Sequence, residues 1–253
     1  MAEVYQALMD ARERRGGGFL LLIDPDRSPE TDYLALAEAA ADSGVDAILV
    51  GTSFMMAGNF AYAVKEIKSM TPLPVIIFPG SFTQITSHAD AILFTSLISG
   101  RNPQYLIDEQ VKGAPFVKAS GLEAIPTGYM LIESGPLTSV QFISGSLPIP
   151  RDKPDIACAH ALAAQYMGMK LAYLEAGSGA QLAVPLDMVH AVSQTVDIPL
   201  LVGGGLQTPD DCAALVNAGA SFIVMGTRLE RDPGFGSLRE LTAASHPKET
   251  IAV

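Results

Sequence analysis

The sequence predicts an α/β fold of the (βα)8 TIM-barrel class, built as one domain over residues 1–253. Three observations predict it. Short apolar runs alternate with helical segments along the whole chain, which calls for parallel strands joined by crossovers. Eight such runs occur, and eight favour closure into a barrel over an open sheet. The length of 253 residues matches the ~250 that one eight-fold barrel needs, with no remainder for a second domain.

The first predicted strand is 19–23, followed by a helix over 30–43 that Gly44 ends. Residues 46–50 form the second strand and 61–70 its helix. The third strand, 74–78, leads into 80–89, a poor helical sequence, so the third helical unit is expected to be irregular. The fourth strand is 91–94, with a helix around 103–111. Pro115, Gly121 and Pro126 then break the long segment 113–128. Strand five is 129–132, and the alanine-rich helix after it is 155–167. The remaining pairs are strand 171–174 with helix 185–195, strand 199–202 with helix 209–218, and strand 221–225 with a last helix at 238–244.

Composition narrows the function. The chain is 49% hydrophobic and only 17% charged, below the ~25% usual for a soluble domain. Strands buried on both faces need such apolar runs, and an apolar groove for a lipid-like ligand would add to them. A net charge of −11 argues against nucleic acid as a partner. No apolar run is long enough to span a membrane, and the first fifteen residues lack the apolar core of a signal peptide, so the chain is expected in the cytoplasm. Cys158 and Cys212 stand among alanines and read as buried, reduced thiols. His88, His160, His190 and His246 are scattered, which leaves no zinc site.

In such barrels the site lies where strands end. There the sequence places Asp24-Pro25-Asp26 after strand one, Gly51-Thr52-Ser53 after strand two, Glu175-Ala176-Gly177-Ser178-Gly179 after strand six, Gly203-Gly204-Gly205 after strand seven and Gly226-Thr227 after strand eight. The late glycines bring backbone N–H groups close to an anion, which points to a bound phosphate. Asp24, Asp26 and the Ser53 hydroxyl could face one point and suit Mg2+. An alternative is that Asp24 caps the following loop and Asp26 is solvated. Tyr173 and Glu175 lie two apart on a strand, so both point into the barrel, and a rim carboxylate can act as general base on a hydroxyl.

With these motifs in order along the chain, together with Val50 to Ser53, Ile125-Pro126-Thr127-Gly128-Tyr129 and Tyr173 to Gly179, the sequence resembles the geranylgeranylglyceryl phosphate synthase family. The resemblance implies a prenyltransferase that joins geranylgeranyl diphosphate to the 3-hydroxyl of sn-glycerol 1-phosphate. It implies that Asp24 and Ser53 hold Mg2+, with Thr52 the competitor for Ser53. Tyr173, Leu174, Glu175, Ala176, Gly177, Ser178, Gly179, Gly204, Gly205, Gly226 and Thr227 would hold the glycerol phosphate. Glu175, with Tyr173, would be catalytic. It further implies a homo-oligomer that meets its lipid substrate at the membrane surface. Leu22 stands where heptaprenyl-transferring relatives carry lysine, which favours the geranylgeranyl branch. Phe78, Phe94, Leu97, Tyr129 and Leu131 are expected walls of a prenyl groove. Two readings compete: a phosphate-binding barrel isomerase, which would work without metal, and a catalytically inactive scaffold.

Overall fold

The computed structural model describes residues 3–26, 32–56, 58–230 and 232–250. Eight parallel strands close into a barrel in chain order. They are β1 (Gly18–Ile23), β2 (Ala47–Val50), β3 (Val75–Ile77), β4 (Ala91–Leu97), β5 (Glu123–Leu131), β6 (Leu171–Glu175), β7 (Leu200–Gly203) and β8 (Phe222–Met225). Closure is made by β8 pairing with β1, with Leu21 beside Met225.

Because successive strand residues face opposite ways, two packed layers result. Leu20, Leu49, Ile76, Leu93, Tyr173, Leu201 and Phe222 fill the barrel interior. Leu21, Ile48, Leu174, Val202 and Ile223 face outward into the helical layer. That layer includes α2 (Tyr33–Asp42), α3 (Phe60–Met70), α4 (Glu109–Ser120), α6 (Pro154–Tyr166), α7 (Leu186–Thr195), α8 (Pro209–Asn217) and α10 (Leu238–Ala244), with the short helices α5 (Ser139–Ser144), α9 (Thr227–Glu230) and α11 (Pro247–Thr250) at loops and the C-terminal end. The predicted residues 30 and 31 of α2 lie outside the described residues.

A helix that the sequence pattern did not signal, α1 (Glu3–Arg15), closes the bottom of the barrel. Val4 and Leu8 join the interior cluster. The Glu123 carboxylate accepts from the N–H groups of Val4 and Tyr5 at 2.7 and 3.1 Å, satisfying donors at a helix start. Among the described residues no helix is long and apolar enough to cross a membrane.

The third unit is irregular, as expected: only a 3-10 turn, Phe82–Gln84, stands between β3 and β4. The next unit departs from expectation. A π-helical turn, Gln104–Asp108, runs into α4, which continues through Pro115 to Ser120. Pro115 is on the exposed side of α4, where water can satisfy the carbonyl that its missing N–H leaves free, while Gly113 and Val117 make the buried side. Gly121, at φ 72°, ends the helix. β5 starts six residues earlier than its apolar run, since Glu123 pairs with Ala91 and Pro126 with Phe94. Ile132 falls beyond it and bridges instead to Ile149.

Candidate active site

A cavity of about 270 Å³ opens at the C-terminal ends of the strands. One side is polar and glycine-rich, lined by Asp24, Ser53, Glu175, Ser178, Gly204 and Thr227 among others; the other is apolar, lined by Phe78, Phe82, Ile85, Phe94, Leu97 and Ile143. The apolar side lies under the 3-10 turn after β3. The missing helix is therefore what gives the barrel a lateral apolar arm.

Glu175 stands between the two. The residue is 6% exposed. One oxygen accepts from the Tyr173 hydroxyl at 2.5 Å and the other from the Gly177 N–H at 2.6 Å. Burial raises its pKa above the ordinary glutamate value, and these two donors pull the other way. Burial and the nearby Glu175 charge push the Tyr173 and Tyr129 phenols well up, so both stay protonated. Tyr129 meets Tyr173 edge-on at 5.2 Å and Phe78 at 5.6 Å between centroids, an aromatic floor below the carboxylate.

The glycines after β6 and β7 are required by this carboxylate and its neighbours. A Cβ on Gly204, which has φ +85°, would lie 2.5 Å from Glu175 Oε1. On Gly177, at φ +103°, it would lie 2.6 Å from Thr138 Cγ2. Ser178 reaches Thr227 across the mouth, hydroxyl to hydroxyl at 3.1 Å, so the loops after β6 and β8 meet over the glycine turn. α8 begins at Pro209, as the sequence predicts, and a reciprocal capping box closes its start: Thr208 Oγ1 accepts from the Asp211 N–H, and the Asp211 carboxylate accepts from the Thr208 N–H.

Of the eleven residues expected to hold a phosphate substrate, eight line the cavity: Glu175, Gly177, Ser178, Gly179, Gly204, Gly205, Gly226 and Thr227. Leu174 and Ala176 do not; their side chains are buried in the outer layer, because alternation along β6 turns them away from the mouth. Tyr173 lies in the interior cluster beneath the site, where its hydroxyl bonds to Glu175 and its ring packs against Phe78 and Tyr129 of the cavity wall. Phe78, Phe94, Leu97 and Tyr129 line the cavity, whereas Leu131 is sealed in the interior.

Asp24 and Ser53 both line the polar side, from β1 and β2, which are paired through Ile23 and Val50. Thr52 also lines it, but its hydroxyl donates to the Phe54 carbonyl at 3.2 Å. Asp26 turns away: its carboxylate accepts from the Met56 N–H, and its own N–H donates to Asp24 at 3.0 Å. Among the described residues no three His, Cys, Asp or Glu side chains cluster as a metal site. One carboxylate and one hydroxyl at the polar end nonetheless fit Mg2+, which keeps waters and shares its ligands with substrate phosphates.

Sequence reasoning missed Arg228, which lines the polar end directly after Thr227, and the wall made by Tyr105, Gln110, Val140, Ile143 and Ser144. A cation next to the Gly226-Thr227 pair was a usable signal for the first. Nothing local signalled the second, which comes from two segments that carry none of the rim motifs.

The PcrB family profile matches residues 9–244. The chain belongs to the PcrB family. Relatives of this PcrB-family chain include the geranylgeranylglyceryl phosphate synthase of Spirosoma linguale, 44% identical over 85% of this chain and 86% of the relative. The enzyme of that name from Thermococcus kodakarensis is 44% identical over 95% and 94%. Among solved structures, (S)-3-O-geranylgeranylglyceryl phosphate synthase from Thermoplasma acidophilum, crystallised with its substrate sn-glycerol-1-phosphate, superposes with a TM-score of 0.90 at 37% identity, covering 98% of this chain and 99% of the other.

Proposed function

We propose that this PcrB-family chain is a prenyltransferase of ether-lipid synthesis, transferring the geranylgeranyl group of geranylgeranyl diphosphate to the 3-hydroxyl of sn-glycerol 1-phosphate. The observation that carries the reading is a single cavity joining a glycine-rich polar end to an apolar arm, with a buried carboxylate between them. The family relatives at 44% identity support the same reaction.

In this reading the loops at Ser178-Gly179, Gly204-Gly205 and Gly226-Thr227 bind the glycerol phosphate through backbone N–H groups and hydroxyls. Asp24 and Ser53 would hold Mg2+. Bound there, the ion would offset charge on the diphosphate. The prenyl chain occupies the arm lined by Phe78, Phe82, Ile85, Phe94 and Leu97. Glu175 orients the 3-hydroxyl and takes its proton as that oxygen bonds to C1 of the prenyl chain. The C1–O bond to diphosphate breaks, and diphosphate leaves with the electron pair. Tyr173 and the Gly177 N–H hold the carboxylate in place. Fixing oxygen and carbon at contact distance supplies much of the acceleration.

The test is product formation by purified protein from labelled sn-glycerol 1-phosphate and geranylgeranyl diphosphate, with Mg2+ and with EDTA. A prenyl ether that forms only with Mg2+, and faster than from the 3-phosphate enantiomer, is the expected result. Folded protein giving no ether with any prenyl donor would overturn the reading.

A further inference from the structure

The cavity is poor in positive charge. Among the described residues that line it stand four carboxylates, Asp24, Glu109, Glu175 and Glu230, and one cation, Arg228. The reaction proposed above brings two anions into this space, a phosphate monoester and a diphosphate. Mg2+ on Asp24 and Ser53 would offset charge on the diphosphate. The glycine turns offer the monoester only neutral N–H and hydroxyl donors. A mouth rich in carboxylates repels an incoming phosphate dianion unless a fixed cation faces it.

Arg228 stands where such a cation is needed. It follows Thr227 directly, and Thr227 meets Ser178 hydroxyl to hydroxyl at 3.1 Å. The backbone that carries it is fixed: the N–H groups of Leu229 and Glu230 donate to the Gly226 carbonyl at 2.8 and 3.2 Å, and the Leu229 side chain is fully buried. The guanidinium is not committed elsewhere. Its Nη1 lies 3.9 Å from Asp232 Oδ1, beyond hydrogen-bond reach. The other Asp232 oxygen already accepts from the Ser237 N–H at 2.9 Å and the Ser237 hydroxyl at 2.6 Å. Asp232 thus pairs with Arg228 without holding it. Among the described residues the guanidinium makes no hydrogen bond, although the side chain is only 33% exposed. An arginine carries five N–H donors in a planar fork that fits phosphate oxygens two at a time.

We propose that Arg228 is a specificity-determining residue for the acceptor, its guanidinium pairing with the phosphate of the glycerol phosphate. The inference rests on the prenyltransferase reading for the identity of that phosphate. Its place directly behind Gly226-Thr227 assigns Arg228 to the monoester and not to the diphosphate at Asp24 and Ser53. On binding, the loose ion pair with Asp232 exchanges for a forked pair with phosphate oxygens, a charge-assisted bond stronger than any the neutral glycine turns supply. Glycerol itself gains nothing from this contact, so Arg228 separates the phosphorylated acceptor from free polyols.

The experiment is titration calorimetry of sn-glycerol 1-phosphate into the full chain, without prenyl donor, for the parent, Arg228→Met and Arg228→Lys. Methionine keeps an unbranched stem and removes the charge, and equal Tm values will show that the variants are folded. Arg228→Met should weaken binding by about 10–100-fold, and Arg228→Lys, which keeps the charge and loses the fork, by less. Added NaCl should weaken the parent and the lysine variant more than the methionine variant. In the transfer assay KM for glycerol phosphate should rise by a similar factor, with KM for geranylgeranyl diphosphate little changed. Equal affinity in the parent and Arg228→Met would overturn the proposal. So would a rise confined to KM for the diphosphate donor, which would place Arg228 on the leaving group, or a parent that binds no glycerol phosphate. The two readings fail separately. Ether formation by an Arg228→Met variant that binds as the parent does defeats the role of Arg228 alone. A parent that binds glycerol phosphate through Arg228 and forms no ether upholds that role and defeats the transferase.

Discussion

Glu175 meets two opposing demands. As the proposed base it must be ionised, yet it is buried against an aromatic floor, which raises its pKa. A group whose pKa is raised on folding contributes stability below its unfolded pKa and loses it as pH rises through the folded value. At about pH 7.5 the ionised carboxylate therefore costs the fold stability. Glu175→Gln keeps an acceptor for Gly177 and cannot ionise. Its Tm should exceed the parent's near pH 7.5 and converge with it near pH 4, while kcat/KM falls by about 10²–10⁴-fold. For Tyr173→Phe, the lost donor is one that pulls the Glu175 pKa down. The acid limb of its rate profile should move to higher pH, with kcat reduced about tenfold and KM for the glycerol phosphate little changed. A profile that does not move would mean that Tyr173 serves packing alone.

The 3-10 turn after β3 and α4 together shape the apolar arm. Glu109 on α4 accepts from the Phe82 N–H at 2.8 Å, and Gly113 lines the cavity one turn on. A Cβ at Gly113 would meet Ile85 Cδ1 at 3.0 Å and Phe82 Cβ at 3.5 Å. A leucine there must enter the arm or push the turn away. Leucine also suits a helix better than glycine by roughly 1 kcal/mol, so the fold should tolerate the change. In competition between geranylgeranyl and geranyl diphosphate, Gly113→Leu should shift preference toward the shorter donor by about tenfold. An unchanged ratio would place the chain's path elsewhere in the cavity.

Across the whole molecule, chemistry and stability sit at opposite ends of the barrel. At the end remote from the cavity, Asp46 joins both chain ends to the sheet, with a side chain only 2% exposed. It accepts from Arg15 at 2.7 Å, from the Phe19 N–H at 2.8 Å and from His246 Nε2 at 2.9 Å. Arg15 also reaches Glu249 at 3.0 Å. Asp46→Asn removes the buried charge that Arg15 and His246 share and should cost about 1.5–3 kcal/mol in urea unfolding. Transfer activity at 25 °C should stay unchanged, and a matching loss of activity would show that the two ends are coupled.

The sequence by itself determined the barrel and most of the rim. Strands buried on both faces must be apolar runs, and residues that end them, such as Asp24, Ser53, Glu175 and Gly204, reach the mouth by topology alone. It also determined that Tyr173 and Glu175 share a face, since strand alternation is local. Leu174 and Ala176 belong to the same motif, but alternation turns their side chains into the outer layer. Only the tertiary structure decided what depends on distant segments meeting. α5 and the π-turn before α4 build one wall of the arm, and Thr138 lies against Gly177. The α4 helix runs on through Pro115 because its buried side, Gly113 and Val117, outweighs one lost backbone bond. Such packing energies belong to pairs of segments, and no window along one segment contains them.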